Sequence, residues 1–460
     1  MILSIIFAIL SGVNAIENGA LNITIYNNDM AAVNQQYFEN CKKGVFNITI
    51  PDMPKTVIAD SINIELPDYL GLKMQSYKNN EDIPNYSISI LTKDNDIISG
   101  KLYRYDDKQV TLKNEKGEYM VVLNDYIKYI NYGNIDETEF RNRMLNNGSL
   151  NLVLESKKTQ RCEFKVNYIV NNLSWSSSYD AYLNESETRL DINSRISITN
   201  NSGYNFKKSQ VSLVAGVINK VSGREFRPTM VMAKALDVSF EDSGDKEIKP
   251  QSLSEFYSYD IPYKELDINS GETLSIDMFS RKDVKFKKVF VYKGQKDLWY
   301  FYDNINNYKY DKNLVVNFIF ENNKDNNMEL PLPQGRIRIY KKKGDFISLV
   351  GEDNILHTPV NGKVELNIGR AFDVSGERKI IKHEKVAPNV YRDTVEIKIK
   401  NDKNDDINVK IKEYLWGNWR IVESSAKYEK IDINNIEFNV NVAKKSTITV
   451  RFTAEYNFNQ

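Results

Sequence analysis

The chain has 460 residues, with 62 Lys and Arg balanced by 62 Asp and Glu, so its formal net charge is zero. Because a protein that binds nucleic acid carries a basic excess, this balance argues against nucleic acid as a partner. The two Cys exclude a zinc-finger array and a disulfide-dense scaffold. The 41% hydrophobic and 27% charged fractions are those of a globular protein that can bury a sizeable core.

Residues 1–15 predict a signal peptide. Residues 2–10 are apolar, which suits a signal-peptide core but is too short to cross about 30 Å of hydrocarbon. Val13 and Ala15 are the small residues expected before a cleavage site, so the mature chain is predicted to begin at Ile16. No later segment reaches about 18 apolar residues, and no transmembrane segment is predicted in the mature chain. We therefore expect an exported protein, either periplasmic, at the cell surface or secreted.

Residues 16–86 predict an N-terminal β domain, with apolar residues alternating at 21–25 and 46–50. Export permits a disulfide between Cys41 of this domain and Cys162. Sequence leaves open whether their Cα atoms come within bonding distance. The alternatives are a disulfide and two unrelated buried thiols.

Residues 87–132 predict a module of their own. Five short strands, at 88–91, 97–103, 109–113, 119–123 and 127–130, are joined by tight polar turns. Five strands in so short a segment favour a small SH3-like β-barrel. Such barrels often bind peptides or nucleic acid, but the absence of a basic excess favours a structural role here.

Residues 136–380 predict a central β-sandwich, and residues 384–460 predict a C-terminal immunoglobulin-like antiparallel β-sandwich. In the last of these, apolar residues alternate with polar ones at 395–399, 407–411, 436–442 and 448–452, the pattern of strands with one buried face. Residues 222–256 interrupt the central domain with a polar, aperiodic stretch that predicts a mobile loop. The expected fold class is therefore mainly β, with several antiparallel sandwiches and one small barrel.

No catalytic residue, cofactor or metal ligand is predicted. The motifs of serine hydrolases, zinc proteases and nucleotide-binding loops do not occur. His357, at the end of an apolar run, is interpreted as structural, and His383, in the predicted linker 382–385, as solvated. Carboxylates are plentiful, so paired-acid chemistry stays open, but no pair stands out. Trp416 and Trp419 could form a sugar-stacking platform, although we favour packing in the core and on the sheet surface.

Several stretches in this order resemble one family. They include Leu173-Ser-Trp175, Leu-Pro-Leu-Pro-Gln-Gly at 330–335, Arg-Ile-Arg-Ile-Tyr at 336–340, Ser375-Gly-Glu-Arg378 and Glu-Tyr-Leu-Trp-Gly-Asn-Trp-Arg-Ile at 413–421. The chain resembles the exported, mostly bacterial proteins of the family called domain of unknown function 4139, over about residues 140–455. That family includes the mucoidy-inhibitor-A-like proteins, whose long coiled coil this sequence lacks. The resemblance implies a β-rich exported protein and brings no established activity, cofactor or catalytic residue.

The sequence therefore predicts an exported, non-enzymatic binding or cell-envelope scaffold protein whose partner is another protein or a glycan. Two alternatives remain open. One is a carbohydrate-binding or adhesion module, and the other is a carboxylate-dependent enzyme acting on glycans or peptides.

Overall fold

The computed structural model describes residues 16–79, 86–105, 109–133, 148–216, 248, 250–294 and 312–458. The predicted signal peptide 1–15 and most of the predicted loop 222–256 lie outside these ranges. Within them the chain is β-rich and contains no α-helix, only short 3₁₀ turns at 59–61, 124–126 and 324–326. No helix in this part of the chain is long and apolar enough to cross a membrane. The mainly-β prediction is confirmed.

Thirty strands make up the described part of the chain. The first fifteen are β1 Glu17–Tyr26, β2 Met30–Cys41, β3 Gly44–Met53, β4 Asn63–Glu65, β5 Leu70–Asn79, β6 Ser87–Thr92, β7 Ile97–Tyr105, β8 Gln109–Lys113, β9 Tyr119–Leu123, β10 Ile127–Asn131, β11 Gly148–Ser156, β12 Gln160–Asn171, β13 Leu173–Leu183, β14 Arg189–Asn200 and β15 Phe206–Ala215. The others are β16 Pro250–Leu253, β17 Phe256–Asp260, β18 Leu266–Ile268, β19 Glu272–Lys285, β20 Lys287–Lys293, β21 Asn313–Glu321, β22 Gly335–Lys343, β23 Phe346–Ile355, β24 Lys363–Ala387, β25 Val390–Asn401, β26 Ile407–Tyr414, β27 Asn418–Ser424, β28 Tyr428–Lys430, β29 Asn435–Val442 and β30 Ser446–Asn457.

The chain divides into two compact units. The first comprises Met1–Ser176 and Ser197–Ile276, and the second comprises Ser177–Ile196 and Asp277–Gln460. The boundaries fall within β13, β14 and β19.

The largest sheet of the first unit has the order β16-β17-β15-β1-β2-β12-β4, with β18 pairing with β15. Its strands alternate as the sequence predicts, with Leu21, Ile23 and Ile25 of β1 all buried. Strands β2 and β12 pair antiparallel along their length, from Cys41 opposite Gln160 onward. A separate three-stranded sheet has the order β3-β11-β5.

Each of the five short strands predicted in 87–132 is present, and together they form one sheet in the order β10-β6-β7-β8-β9. Its inner face packs around a small apolar core that includes Ile90, Val110 and Leu112. The pairings among described residues leave β9 and β10 as the two ends of the sheet, so closure into a barrel is not part of the observed fold.

The second unit contains the nine-stranded sheet β27-β30-β25-β24-β21-β20-β26-β29-β28. Strands β30 and β29 lie near opposite ends of this sheet order, yet their apolar side chains meet in one core. The rings of Phe438 in β29 and Phe452 in β30 lie 5.5 Å apart. A five-stranded sheet, β19-β14-β13-β22-β23, carries the β22–β23 hairpin at one end.

Three observations differ from the sequence prediction. Strand β24 runs unbroken through 382–385 and pairs with β25, so the predicted linker and the boundary between 380 and 384 lie inside a strand. The last residues of the predicted loop 222–256 are not loop: they form β16 and the first residue of β17. The sheets are mixed: β1 with β15, β13 with β22 and β20 with β26 are parallel. Period-two alternation marks a strand but does not encode its partner's direction.

Candidate functional site

Cys41 and Cys162 form a disulfide, with their Cα atoms 5.7 Å apart. The two residues lie near the ends of the neighbouring strands β2 and β12, where Cys41 faces Gln160 and Cys162 faces Glu39. Both sulfurs are buried beside Leu70 in a small apolar cluster. The two residues are 121 positions apart, so the bond closes a long loop and constrains the unfolded chain. In the loop-entropy model this constraint adds about 4–5 kcal/mol to the free energy of unfolding. The disulfide cross-links the ends of two neighbouring strands.

Trp416 and Trp419 both pack, partly buried, against the core of the nine-stranded sheet. The Trp419 indole N–H donates a hydrogen bond to the Ile433 carbonyl oxygen at 2.7 Å, and the Lys430 ammonium lies 4.8 Å from the centre of its ring. Trp416 makes an edge-to-face contact with Tyr414 at 4.7 Å. The two indoles are thus engaged within the fold, and the sugar-stacking platform stays a prediction.

The two histidines occupy different settings. The His357 Nδ1 atom accepts a hydrogen bond from the Gln334 backbone N–H at 3.1 Å, and partial burial lowers the pKa of His357. His383 lies within β24, not in a linker; its Nδ1 atom is 2.5 Å from Asp393 Oδ1 and its ring stacks on Tyr391 at 5.7 Å. The His383–Asp393 pair lies between neighbouring strands.

Buried carboxylates are individually paired with cationic or imidazole groups. These pairs are Glu413 with Arg378, Glu396 with Arg451, Glu437 with Lys410 and Asp393 with His383. Within the described ranges, no group of three or more His, Cys, Asp or Glu side chains is arranged to hold a metal ion.

The most deeply buried ion pair joins Arg378 of β24 to Glu413 of β26. The Arg378 Nε–H lies 3.1 Å from one carboxylate oxygen and 3.0 Å from the other, and both side chains are almost fully buried. Burial raises the pKa of Glu413, against the opposing effect of the Arg378 charge.

Gly294 makes room for this pair, and Gly376 makes room for a ring of the core of the same sheet. A Cβ added at Gly294 would lie 2.2 Å from Glu413 Oε1, and one at Gly376 would lie 2.3 Å from the Tyr292 ring, which belongs to the surrounding core. The pair is enclosed by protein groups, so its chemistry is that of a buried structural contact.

An exposed apolar surface lies on the sheet β6–β10. Strand β9 is an end strand and carries Tyr119, Val121 and Leu123 on its outer face, each more than half exposed, while Val122 points into the core. End strands present unpaired backbone groups and are templates for pairing with another chain. We call the outer side chains of Tyr103, Tyr119, Val121 and Leu123 the β9 surface.

Tyr103 in β7 extends this surface inward from the edge. Its ring meets that of Tyr119 edge-to-face at 4.5 Å, and the Lys113 ammonium lies 5.4 Å from the Tyr119 ring centre. Both tyrosines are half exposed, so their ring edges and hydroxyls face solvent. Rings of this kind provide rigid contact area with a polar tip.

Sequence reasoning located strand β9 but did not identify its binding surface. The signal was present in Tyr-Met-Val-Val-Leu at 119–123, which is apolar at every position. A strand in a small sheet that is apolar on both faces leaves one of them for a partner.

No curated protein matches the chain. The family model described as Domain of unknown function (DUF4139) matches residues 164–458. This range is more than half of the chain. It includes the Arg378–Glu413 pair, Trp416 and Trp419, and it excludes the sheet β6–β10. The resemblance seen in the sequence is confirmed, and the chain belongs to the DUF4139 family.

Proposed function

We propose that this chain is an exported, non-enzymatic binding protein of the cell envelope. The apolar segment 2–10 followed by Val13 and Ala15 supports export. The Cys41–Cys162 disulfide is compatible with it, since disulfides persist in oxidising compartments.

One observation carries the proposal: an end strand, β9, has three exposed apolar side chains in a row on one face. Burying such side chains against a partner removes apolar area from water at about 25 cal/mol per Å². The expected ligand is an extended protein segment that adds to β9 as a further strand, with apolar residues at every second position. Lys101 and Lys113 are exposed on the same face, which favours an acidic residue of the ligand on that face beside the apolar ones.

We also propose finer fold assignments. The sheet β6–β10 is an SH3-like module, supported by five short strands with tight turns. The nine-stranded sheet holds an immunoglobulin-like sandwich, supported by the single core between its two halves.

The Tyr103–Tyr119 pair supports a second candidate function, carbohydrate binding. Exposed aromatic rings with hydroxyl tips offer both an apolar face and hydrogen bonds to a sugar. The edge-to-face arrangement presents no continuous flat platform, so an extended protein segment is the better-supported ligand.

The test places a photo-crosslinking amino acid at Val121 of the mature chain and, as a matched control, at Tyr129 on the opposite end strand β10. Val121 should crosslink to one extended peptide of an envelope protein, whereas Tyr129 should not. The variant Tyr119→Ser/Leu123→Ser should abolish the Val121 crosslink while changing the free energy of unfolding by no more than about 0.5 kcal/mol, because both side chains are exposed.

Two results count against this proposal. Equal crosslinking at Val121 and Tyr129 would indicate nonspecific contact. Binding to a glycan array that is lost in Tyr103→Ser, without a Val121 crosslink, would favour the carbohydrate-binding candidate instead.

A further inference from the structure

The β22–β23 hairpin of the second unit ends in an exposed two-stranded segment, residues 340–350, which we call the β22–β23 tip. It begins where the hairpin crosses β24 at Gly351. A Cβ at Gly351 would lie 2.5 Å from the Ile368 carbonyl oxygen and 2.6 Å from its Cγ2 atom, so only glycine fits the crossing. Beyond this point every residue from 346 to 350 in β23 is exposed.

One face of the β22–β23 tip carries Tyr340, Leu349 and Ile347 together with one lysine, Lys342. Directly opposed residues of an antiparallel pair share a face. Lys342 is opposite Ile347 and Tyr340 is opposite Leu349, so these four side chains lie together. Tyr340 also stacks on Tyr182 of the adjacent strand β13 at 5.4 Å. An apolar strip thus runs from this tyrosine pair through Leu349 to Ile347.

The other face carries the largest exposed ring of the hairpin. Phe346 is opposite Lys343, and its side chain is 78% exposed. Because Phe346 and Ile347 are consecutive in a strand, they point to opposite faces. The end of the β22–β23 tip therefore has one large apolar side chain on each face, each opposite a lysine.

The charges around these side chains are unevenly balanced. Lys288 and Lys341 both contact the single carboxylate of Glu187, which leaves a positive excess at the base of the tip. For Lys342 and Lys343, no carboxylate of the described residues lies within ion-pair distance; the Lys342 ammonium instead lies 5.8 Å from the Tyr182 ring centre. Asp345 in the turn is the one acidic residue between 340 and 350.

We propose that the β22–β23 tip inserts Phe346, Ile347 and Leu349 into the surface of a bilayer that contains anionic phospholipids. Lys342 and Lys343 are directly opposite Ile347 and Phe346, and their long side chains reach back to the headgroups. Tyr182 and Tyr340 lie at the polar boundary, the depth that amphipathic aromatic rings favour. From Phe346 to Leu349 the strand rises about 10 Å at about 3.3 Å per residue. That length suits the depth of about 5–10 Å to which interfacial elements enter the headgroup and acyl boundary.

The distribution of apolar side chains favours a lipid surface over a protein partner. A partner strand or a flat docking face would cover one side of a two-stranded segment, whereas lipid surrounds both sides. Lysines next to apolar side chains at the end of a hairpin are complementary to anionic headgroups. This inference does not depend on the β9 surface, because it uses none of the same residues.

The test is flotation of the full mature chain with vesicles of phosphatidylcholine alone or with about 30% phosphatidylglycerol. The chain should float with the anionic vesicles, and Phe346→Ser/Ile347→Ser/Leu349→Ser should lower the vesicle-bound fraction at least about tenfold. Lys342→Gln and Lys343→Gln should each lower binding to anionic vesicles about fivefold, with raised salt acting in the same direction. The matched control is Phe372→Ser, which removes a ring that is 97% exposed elsewhere in the same unit and should leave binding unchanged.

Three results would overturn the proposal. The wild-type chain could fail to float with either vesicle, or the triple variant could float like the wild type. The third is a dimer of the lipid-free wild-type chain in light scattering that the triple variant abolishes, which would make a second copy the occupant of the β22–β23 tip. Circular dichroism melting of the triple variant confirms that it is folded.

Discussion

The outer faces of two sheets, the nine-stranded sheet and the sheet β6–β10, follow the same period-two pattern but are chemically different. On the nine-stranded sheet, Glu455 of β30 accepts hydrogen bonds from Arg392 at 2.7 Å and Arg420 at 2.8 Å, on the strands to either side. Glu396 is held in the same way by Arg451 at 2.7 Å. This face satisfies its own polar groups across its strands.

On the β9 surface the contacts among described residues, between Tyr103 and Tyr119 and between Lys113 and Tyr119, leave the apolar groups largely exposed. Tyr119, Val121 and Leu123 remain more than half exposed at the end of their sheet. This face of the nine-stranded sheet, which lies inside the range matched by the family model, is paired internally, whereas the β9 surface lies outside that range and is the one proposed to take a protein partner. Exposed apolar surface at a sheet edge promotes aggregation unless a partner covers it.

The largest effect is expected from removing the most deeply buried ion pair of the nine-stranded sheet, Arg378 with Glu413. Arg378→Ala should lower the free energy of unfolding by about 3–5 kcal/mol, because it leaves the Glu413 carboxylate buried without its partner. Urea unfolding measures the effect. The double variant Arg378→Met/Glu413→Leu is the control and should be far less destabilised, since it buries no unpaired charge. If the double variant lost as much stability as Arg378→Ala, the loss would come from altered packing and not from an unpaired buried charge.

A second prediction concerns the unit that contains the β9 surface. Cys41→Ser/Cys162→Ser should lower the free energy of unfolding by about 2–4 kcal/mol, because the unfolded chain is no longer cross-linked over a long loop and measured disulfide contributions usually fall below the loop-entropy value of about 4–5 kcal/mol. Thermal melts with and without reductant provide the measurement: reductant should destabilise the wild type and leave the variant unchanged. Reductant sensitivity of equal size in both proteins would contradict the assignment.

The smallest effect is expected at Glu187, a carboxylate shared by two lysines as Glu455 is shared by two arginines. Hydrogen bonds from Lys288, and then Lys341, lower the pKa of Glu187 from 4.5 to about 2. A lowered folded-state pKa stabilises the protein above pH 4.5, and this contribution is lost as the pH falls from 4.5 through about 2.

Glu187→Gln should therefore be less stable than the wild type at neutral pH by about 1 kcal/mol at most, because the group is partly exposed and screened. The two proteins should converge as the pH approaches 2. Unfolding in urea across this pH range measures the difference, with Glu185→Gln in the same turn as the control. A constant gap between Glu187→Gln and the wild type at every pH would show that the lysine pairing makes no titrating contribution.

Strand positions were the most predictable part of the fold. The alternating segments 395–399, 407–411 and 436–442 fall within β25, β26 and β29, and the five short segments of 87–132 match β6 to β10. Alternation is a local property, since successive side chains of a strand point to opposite faces. One clear local misreading is 382–385, whose run of charges suggested a linker although it continues an exposed stretch of β24; another is the end of the predicted loop 222–256, which is strand.

The candidate site was less predictable for a physical reason. Tyr119 and Trp419 are both aromatic residues of strands, yet Tyr119 is exposed at an end strand and Trp419 is anchored to the Ile433 carbonyl oxygen. Both strands end their sheets, so the difference depends on which residues from elsewhere in the chain reach each side chain, such as Lys430 and Ile433 beside Trp419. No pattern within either strand encodes those contacts.

The sequence by itself determined the β-rich class, the family and the strand segments, because composition and alternation act over a few neighbouring residues. Only the tertiary structure decided that Arg378 meets Glu413, that β1 pairs in parallel with the distant β15, and that β9 ends its sheet. These features depend on contacts between residues far apart in the chain. The free energy of such contacts comes from burial and pairing in the assembled sheets, and no local segment carries it.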